Sequence, residues 1–282
     1  MKDLWVYYNG NILPLEEVKI SPFDRGYQFG DGVYEVIRFY PPKLFLPELH
    51  VERLRSSLDK MLIKFYQMDF IVPTIMELLS KNNQLDKPSI AYLQITRGIQ
   101  IPRKHDYADE LIPSVFMYTA ELPIKTKNQI EGVRVCSDED IRWHHCDIKS
   151  ISLIPNASSS RRAKELGCEE TIWHREGKIT EGTHSNIGFV KNGNVVTPPL
   201  SKHILPGITR RTVLMLCYEL GIKVEEIEVD VSEIAEFEEA FLLSTTAEVM
   251  PIVEFENKKL NNRIPGPVTR ALQEAIKKLI TG

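Results

Sequence analysis

The spacing of hydrophobic positions changes several times along the chain. Near the start, WVYYNGNILPL alternates apolar and polar residues around Asn9-Gly10, which predicts a β-hairpin with a two-residue turn. From Leu49 to Leu62 the apolar positions have the spacing of a helix, and a second helical pattern runs near Ile75–Leu79. Two strand-like runs follow, SIAYLQIT and IPSVFMYTA, separated by the long polar loop RGIQIPRKHDYADE. A loop of that length within a compact domain is often functional.

The second half of the chain predicts short strands followed by helices. Turn signals stand at Glu176-Gly177 and Asn192-Gly193, and two helices are predicted to begin near Gly207 and Gly266. Because strands and helices mix without a regular strand–helix–strand alternation, we predict an α+β fold rather than a doubly wound parallel sheet.

The polar, proline-containing segment AELPIKTKNQ lies near the midpoint and divides the chain. We therefore predict an N-terminal α/β domain over residues 1–120, a linker over 121–129 and a C-terminal domain over 130–282.

Composition excludes several classes of function. The chain has 282 residues, 43% of them hydrophobic, and a formal net charge of −4, so the strongly basic face typical of a duplex nucleic-acid binder is not expected. The sequence lacks a run of 18 apolar residues and an apolar signal-peptide core, so neither a membrane segment nor secretion is predicted. The four cysteines form no CxxC pair, which favours free thiols in a reducing cytoplasm.

Two short segments carry candidate chemistry. In DIKS, Lys149 stands in a strand-like stretch, where it is either a half-exposed strand lysine or an amine able to attack a carbonyl once it loses its proton. In ITEGTHSNIGF, Glu181 lies in a small-residue turn, where it is either solvated or a buried partner for a protonated ring nitrogen. His144, His145 and Cys146 do not predict a metal site, because adjacent strand residues point to opposite faces.

Two further segments have the character of anion sites. In ILPGITRRTV, Gly207 precedes a helix with Ile208 and Thr209 in its first turn, which suits a phosphate as well as it suits an ordinary helix cap. In LLSTTAEVMP, the hydroxyls of Thr245 and Thr246 follow an apolar strand, where they either complete such a site or simply end the strand.

Together these segments resemble the class IV (fold-type IV) aminotransferases over nearly the full length of the chain. That family has, in order, a phosphate-binding arginine, a lysine that holds pyridoxal phosphate as a Schiff base, a glutamate at the ring nitrogen, a glycine-isoleucine-threonine helix start and a threonine pair. The matching positions here are Arg53, Lys149, Glu181, Gly207-Ile208-Thr209 and Thr245-Thr246. The resemblance implies a two-domain enzyme with a larger, barrel-like C-terminal domain.

Two stretches resemble the D-amino-acid branch of the family. DRGYQFGDGVYEV looks like the corresponding stretch of bacterial D-alanine aminotransferase, and PRKH matches an Arg-x-His substrate-carboxylate site in which Tyr34 joins Arg103 and His105. An arginine can bind a carboxylate with two charge-assisted hydrogen bonds. The resemblance implies that this loop reaches the active site of a partner subunit, and therefore that the enzyme is a homodimer.

The function implied is a ping-pong transamination of D-alanine or D-glutamate with 2-oxo acids, in which Lys149 also moves the α-proton. Three alternatives remain: a branched-chain L-amino-acid aminotransferase, an aminodeoxychorismate lyase, and a degenerate, non-enzymatic binding module. STTAEVMP and GPVTRALQEA lean towards the branched-chain enzymes, and His184 stands where the D-alanine enzymes usually have a small serine. His184 is therefore either a substrate donor or an obstacle in the pocket.

Overall fold

The computed structural model describes residues 4–261 and 264–282, which fall into two compact units. The first unit comprises residues up to Pro123 together with Ile148–Ser152, and the second comprises Ile124–Asp147 and Leu153–Gly282. The boundary after Pro123 falls inside the predicted linker over 121–129. The second half of that linker is the start of a helix, Thr126–Glu131. The sequence places Ile148–Ser152 in the predicted C-terminal domain, whereas in the structure this segment belongs to the first unit, where Lys149 and Ile151 bond to the backbone of β3.

Fifteen strands and seven α-helices are present in the described residues. The strands are β1 Trp5–Tyr8, β2 Asn11–Pro14, β3 Gly32–Tyr40, β4 Lys43–Leu44, β5 Ser89–Thr96, β6 Ser114–Glu121, β7 Val133–Glu139, β8 Glu170–Arg175, β9 Lys178–Gly182, β10 Asn186–Lys191, β11 Asn194–Thr197, β12 Val224–Glu226, β13 Glu239–Ser244, β14 Glu248–Phe255 and β15 Lys258–Lys259. The helices are α1 Arg25–Phe29, α2 Pro47–Lys60, α3 Ile71–Lys81, α4 Thr126–Glu131, α5 Ile154–Glu165, α6 Ile208–Glu219 and α7 Pro267–Thr281. Within the described ranges, 3₁₀ helices also cover Leu15–Glu17 and Val231–Glu236.

The first unit is an antiparallel sheet covered by two helices. Its strand order is β2-β1-β6-β5-β3-β4. The predicted hairpin is confirmed, since Asn9 and Gly10 both have positive φ, as a primed turn between right-twisted strands requires. Alternate residues of β5 and the apolar faces of α2 and α3 form one buried core that includes Leu54, Leu78 and Leu93.

The second unit is built on a nine-stranded mixed sheet. Its order is β12-β11-β10-β13-β14-β7-β8-β9, with β15 pairing to β14, and β7 runs parallel to both β14 and β8. The sheet curls into a half-barrel, which confirms the predicted α+β, barrel-like fold. The helices predicted to begin near Gly207 and Gly266 are α6 and α7, and α7 buries Leu272 and Ile276 on one face.

Three further observations bear on the sequence predictions. All four cysteines are free thiols, as predicted. Among the helices within residues 4–261 and 264–282, none is long and apolar enough to cross a membrane. The described part of the chain contains no group of three or more His, Cys, Asp or Glu side chains able to hold a metal ion.

Candidate active site

Lys149 does not lie in a strand, contrary to the sequence prediction. Only its neighbour Ser150 pairs with a strand, through an isolated bridge to Val33 on β3. The carbonyl of Lys149 accepts from the backbone N–H of Tyr34 (3.0 Å), and its own N–H donates to the hydroxyl of Ser57 on α2 (3.2 Å). These bonds occupy the backbone of Lys149 on both sides, so its position is set by β3 and α2 rather than by a sheet of its own.

The side chain of Lys149 faces an aromatic surface of the first unit. Its Nζ lies 4.2 Å from the centre of the Tyr34 ring, which in turn stacks on Tyr92 at 5.8 Å between ring centres. The structure thus brings together two of the predicted site residues, the candidate cofactor lysine and the candidate substrate-binding tyrosine.

Arg53 is held by a buried carboxylate that sequence reasoning missed. Its Nε and Nη2 donate to the two oxygens of Glu35 at 2.7 and 2.9 Å, and His50 Nδ1 lies 2.8 Å from the same carboxylate. All three side chains are buried. Burial alone would raise the pKa of Glu35, but Arg53 and His50 outweigh it and hold that pKa at about 2. The carboxylate fixes the orientation of the guanidinium.

The loop over residues 97–110 carries Arg103 and His105 at the surface of the first unit. Both contact the ring of Phe29, with the Arg103 guanidinium carbon 4.3 Å and the His105 ring centre 5.7 Å from its centre. The buried Arg25 anchors the loop, because its Nη1 and Nη2 donate to the carbonyls of Lys104 and His105 at 2.8 and 3.1 Å. In the described chain these two predicted carboxylate-binding residues gather on Phe29, whereas Tyr34 lies at Lys149.

Glu181 is buried near the end of β9 in the second unit. Its Oε1 accepts from Arg142 Nη1 at 2.7 Å. Its Oε2 accepts from Asn186 Nδ2 and from the backbone N–H of Leu205, both at 3.0 Å. Complete burial raises the pKa of Glu181 to about 7, while the Arg142 guanidinium pulls it down.

The start of α6 lies against Asn186, one of the donors to Glu181. Gly207 is the N-cap of α6 with no side-chain cap, and Ile208 and Thr209 are buried in the first turn. A Cβ on Gly207 would lie 1.9 Å from Asn186 Oδ1, so any other residue here would have to displace the Asn186 side chain that donates to Glu181. The first N–H groups of a helix have no acceptor within it, which makes such an end attractive to anions.

Thr245 and Thr246 lie where the sequence placed them. They occupy the turn immediately after β13 and are partly exposed.

His184 is fixed by a carboxylate buried beneath it. Glu170, fully buried on β8, lies 2.9 Å from His184 Nδ1 and also accepts from Ser185 Oγ at 3.1 Å. Partial desolvation of the ring opposes protonation of His184, but the negative charge of Glu170 and its hydrogen bond to the ring outweigh it, so the pKa of His184 is raised. The imidazole itself is half exposed, three residues after Glu181 on the β9–β10 turn.

Sequence reasoning missed Glu35, which orients Arg53, and Asn186, which donates to Glu181. A signal for Glu35 was present, since a single carboxylate interrupts the apolar strand GVYEVIRFY. A buried charge in a strand needs a partner, and Arg53 and His50 follow one face of the next helix.

Comparison with known proteins decides the family. The model of the amino-transferase class IV family matches residues 32–255. The D-alanine aminotransferase of Bacillus licheniformis is 39% identical over 276 residues, covering 98% of this chain and 96% of the relative. That of Staphylococcus haemolyticus is 36% identical over 277 residues, covering 98% and 97%. The chain belongs to the class IV aminotransferases.

The chain also has the fold of solved aminotransferase structures. The structure of the branched-chain amino acid aminotransferase of Escherichia coli superimposes with a TM-score of 0.91, covering 99% of this chain and 95% of that one, at 22% identity. Class IV aminotransferases use pyridoxal phosphate, and this is a pyridoxal-phosphate-dependent aminotransferase.

The residues present fit this cofactor. The buried carboxylate of Glu181 suits a protonated ring nitrogen, and the start of α6, whose first N–H groups have no acceptor within the helix, suits a phosphate.

Proposed function

We propose that this enzyme transaminates D-amino acids, with D-alanine or D-glutamate and 2-oxo acids of the cytoplasm as its substrates. The observation that carries the proposal is the identity of 34–39% with D-alanine aminotransferases over almost the whole chain. The identity with the E. coli branched-chain enzyme is lower, and that likeness concerns the fold alone.

Lys149 is proposed as the residue that binds the cofactor covalently and moves the substrate's proton. When bound, pyridoxal phosphate supplies a carbonyl carbon to the amino group and a ring that withdraws electrons from the α-carbon. As a general base, Lys149 Nζ would take the proton from the substrate α-carbon, and as a general acid it would deliver that proton to the carbonyl-derived carbon of the cofactor. Two observations support this role. The backbone of Lys149 is fixed by hydrogen bonds to Ser57 and Tyr34, and its Nζ lies over the Tyr34 ring.

Glu181 is proposed to bind the ring nitrogen. The support is its burial together with three donors that direct the carboxylate. A carboxylate there favours the protonated ring nitrogen, which strengthens electron withdrawal from the substrate.

The phosphate is proposed to be bound by Arg53, the α6 start at Ile208-Thr209, and Thr245-Thr246. The α6 start supplies N–H groups and the Thr209 hydroxyl. Arg53 supplies a positively charged guanidinium, and its hydrogen bonds to Glu35 set the orientation of that group.

The substrate carboxylate is proposed to be bound by Tyr34, Arg103 and His105. Arg103 and His105 are presented together on an anchored surface loop, which suits contribution to a partner subunit's site. The proposal therefore includes a homodimer.

The test is the configuration of the product. Pyruvate is incubated with the holoenzyme and either D-glutamate or L-glutamate, and the alanine formed is resolved by chiral chromatography. We expect D-alanine from the D-donor and none from the L-donor. Formation of L-alanine, or turnover of L-leucine with 2-oxoglutarate at a higher rate, would replace this proposal with the branched-chain one.

A further inference from the structure

Four charged side chains of the second unit form a buried row of alternating sign. Arg142 donates to Glu181 at 2.7 Å and to both oxygens of Asp140 at 2.9 Å, and Arg175 Nε donates to Asp140 at 3.1 Å. The four side chains are 0–15% exposed. The two arginines and Asp140 together carry one net positive charge, which matches the single negative charge of Glu181.

The guanidinium of Arg142 has little freedom in this row. Its carbon lies 4.1 Å from the centre of the buried Trp173 ring, and its Nη2 also donates to the carbonyl of His203 at 3.3 Å. All three of its nitrogens have acceptors, so the plane of the group is set by Asp140, Trp173 and the backbone. A fork fixed in this way directs an N–H of Nη1 at Glu181.

The segment that follows His203 completes the arrangement. Leu205, two residues after the carbonyl that accepts from Arg142, donates its N–H to Glu181 Oε2. The same short segment therefore orders both members of the Arg142–Glu181 pair, and any loss of Arg142 removes a contact to that segment as well.

We propose that Arg142, held in place by Asp140, is a positioning residue that keeps Glu181 a carboxylate directed at the cofactor's ring nitrogen. This inference rests on the proposed role of Glu181. Arg142 lies in direct contact with the carboxylate, so its charge stabilises the ionised carboxylate more than it opposes a positive charge on a group beyond it. The single proton shared by Glu181 and the ring nitrogen is therefore kept on the nitrogen.

The test reads the location of that proton directly. Apoenzyme is loaded with cofactor labelled with ¹⁵N in the ring, whose chemical shift distinguishes a protonated from a neutral pyridine nitrogen, and the cofactor dissociation constant is measured by equilibrium dialysis. We expect a protonated nitrogen in the wild type and in Arg142→Lys. In Arg142→Met we expect a shift to the neutral form and a dissociation constant raised roughly tenfold, as for loss of a charged hydrogen bond.

Two controls separate positioning from folding. Arg134→Met removes an arginine of the same unit that pairs with Glu254, and it should leave the ¹⁵N shift unchanged. Arg142→Gln loses the charge but can still donate to Asp140. It should show the same change in ¹⁵N shift as Arg142→Met, and it replaces that variant if the Arg142→Met protein does not fold. In a Glu181→Gln background, Arg142→Met should change the dissociation constant by less than about twofold, because the effect acts through Glu181.

The outcomes distinguish this inference from the proposal beneath it. If Glu181→Gln leaves the ring nitrogen protonated, the proposed role of Glu181 is wrong. If Glu181→Gln neutralises the nitrogen while both Arg142→Met and Arg142→Gln leave it protonated, the role of Glu181 stands and the positioning role of Arg142 is overturned.

Discussion

Arg53 and Glu35 form a two-pronged ion pair in the first unit, with Nε–Oε1 and Nη2–Oε2 distances of 2.7 and 2.9 Å. The pair is buried, and His50 lies against the same carboxylate. The residue that the family resemblance assigns to the cofactor phosphate is therefore not a flexible surface arginine. The ion pair with Glu35 itself orients Arg53, which lowers the cost of ordering the guanidinium when it binds an anion.

Glu35→Gln should destabilise the enzyme. The substitution preserves size but leaves Arg53 and His50 without their carboxylate in a buried site, and removing one partner of a buried pair typically costs about 3–5 kcal/mol. Urea denaturation followed by circular dichroism measures the loss. Glu121→Gln is the matched control, since its exposed pair with Lys87 should be worth less than about 1 kcal/mol. Equal, small effects of the two variants would contradict a structural role for the buried pair.

The same pair predicts loss of stability in acid. Burial raises the pKa of Glu35, but Arg53 and His50 outweigh it, so the pKa falls from the ordinary 4.5 to about 2 in the folded protein. A carboxyl with a depressed pKa contributes stability above its unfolded pKa and loses it as the pH falls towards the folded one. About 3 kcal/mol should therefore disappear between pH 5 and pH 2. The free energy of unfolding, measured across this range, should depend less on pH in Glu35→Gln; parallel pH profiles would refute the assignment.

Arg103→Met should impair use of substrate with little effect on folding, because the side chain is exposed and lies on Phe29. Loss of a charged hydrogen bond to the substrate carboxylate should lower kcat/KM for D-alanine roughly 10- to 100-fold. Lys104→Met removes the same positive charge from the adjacent loop residue, and its kcat/KM should stay within about twofold of the wild-type value. Similar losses in both variants would indicate a general charge effect of the loop instead of a specific carboxylate contact.

The sequence predicted the local elements of this fold well, and for physical reasons. The hairpin at Asn9-Gly10 and the turns at Glu176-Gly177 and Asn192-Gly193 all have positive φ values, which glycine and asparagine favour and which Glu176 adopts beside Gly177. The helices over Pro47–Lys60 and Pro267–Thr281 follow from apolar residues spaced one turn apart.

The prediction failed where tertiary contacts decide the backbone. The stretch around Lys149 has the composition of a strand, but its hydrogen bonds go to Tyr34 and Ser57, which lie far away in sequence. No local pattern records such partners. The same limit applies to Glu181, since Arg142 and Leu205 lie 39 and 24 residues away. The family resemblance indicates the candidate residues, whereas only the folded chain shows which side chains orient them.

The central claim is that Lys149 and the carboxylate-binding loop together select D-amino acids. Half-reaction absorbance tests it most directly, with D-alanine, L-leucine and L-glutamate added separately to the holoenzyme in the absence of a 2-oxo acid. We predict that D-alanine alone removes the visible band of the bound cofactor, and that Lys149→Ala abolishes this change. A loss of the band with L-leucine or L-glutamate and none with D-alanine would contradict the account and identify a branched-chain type of specificity.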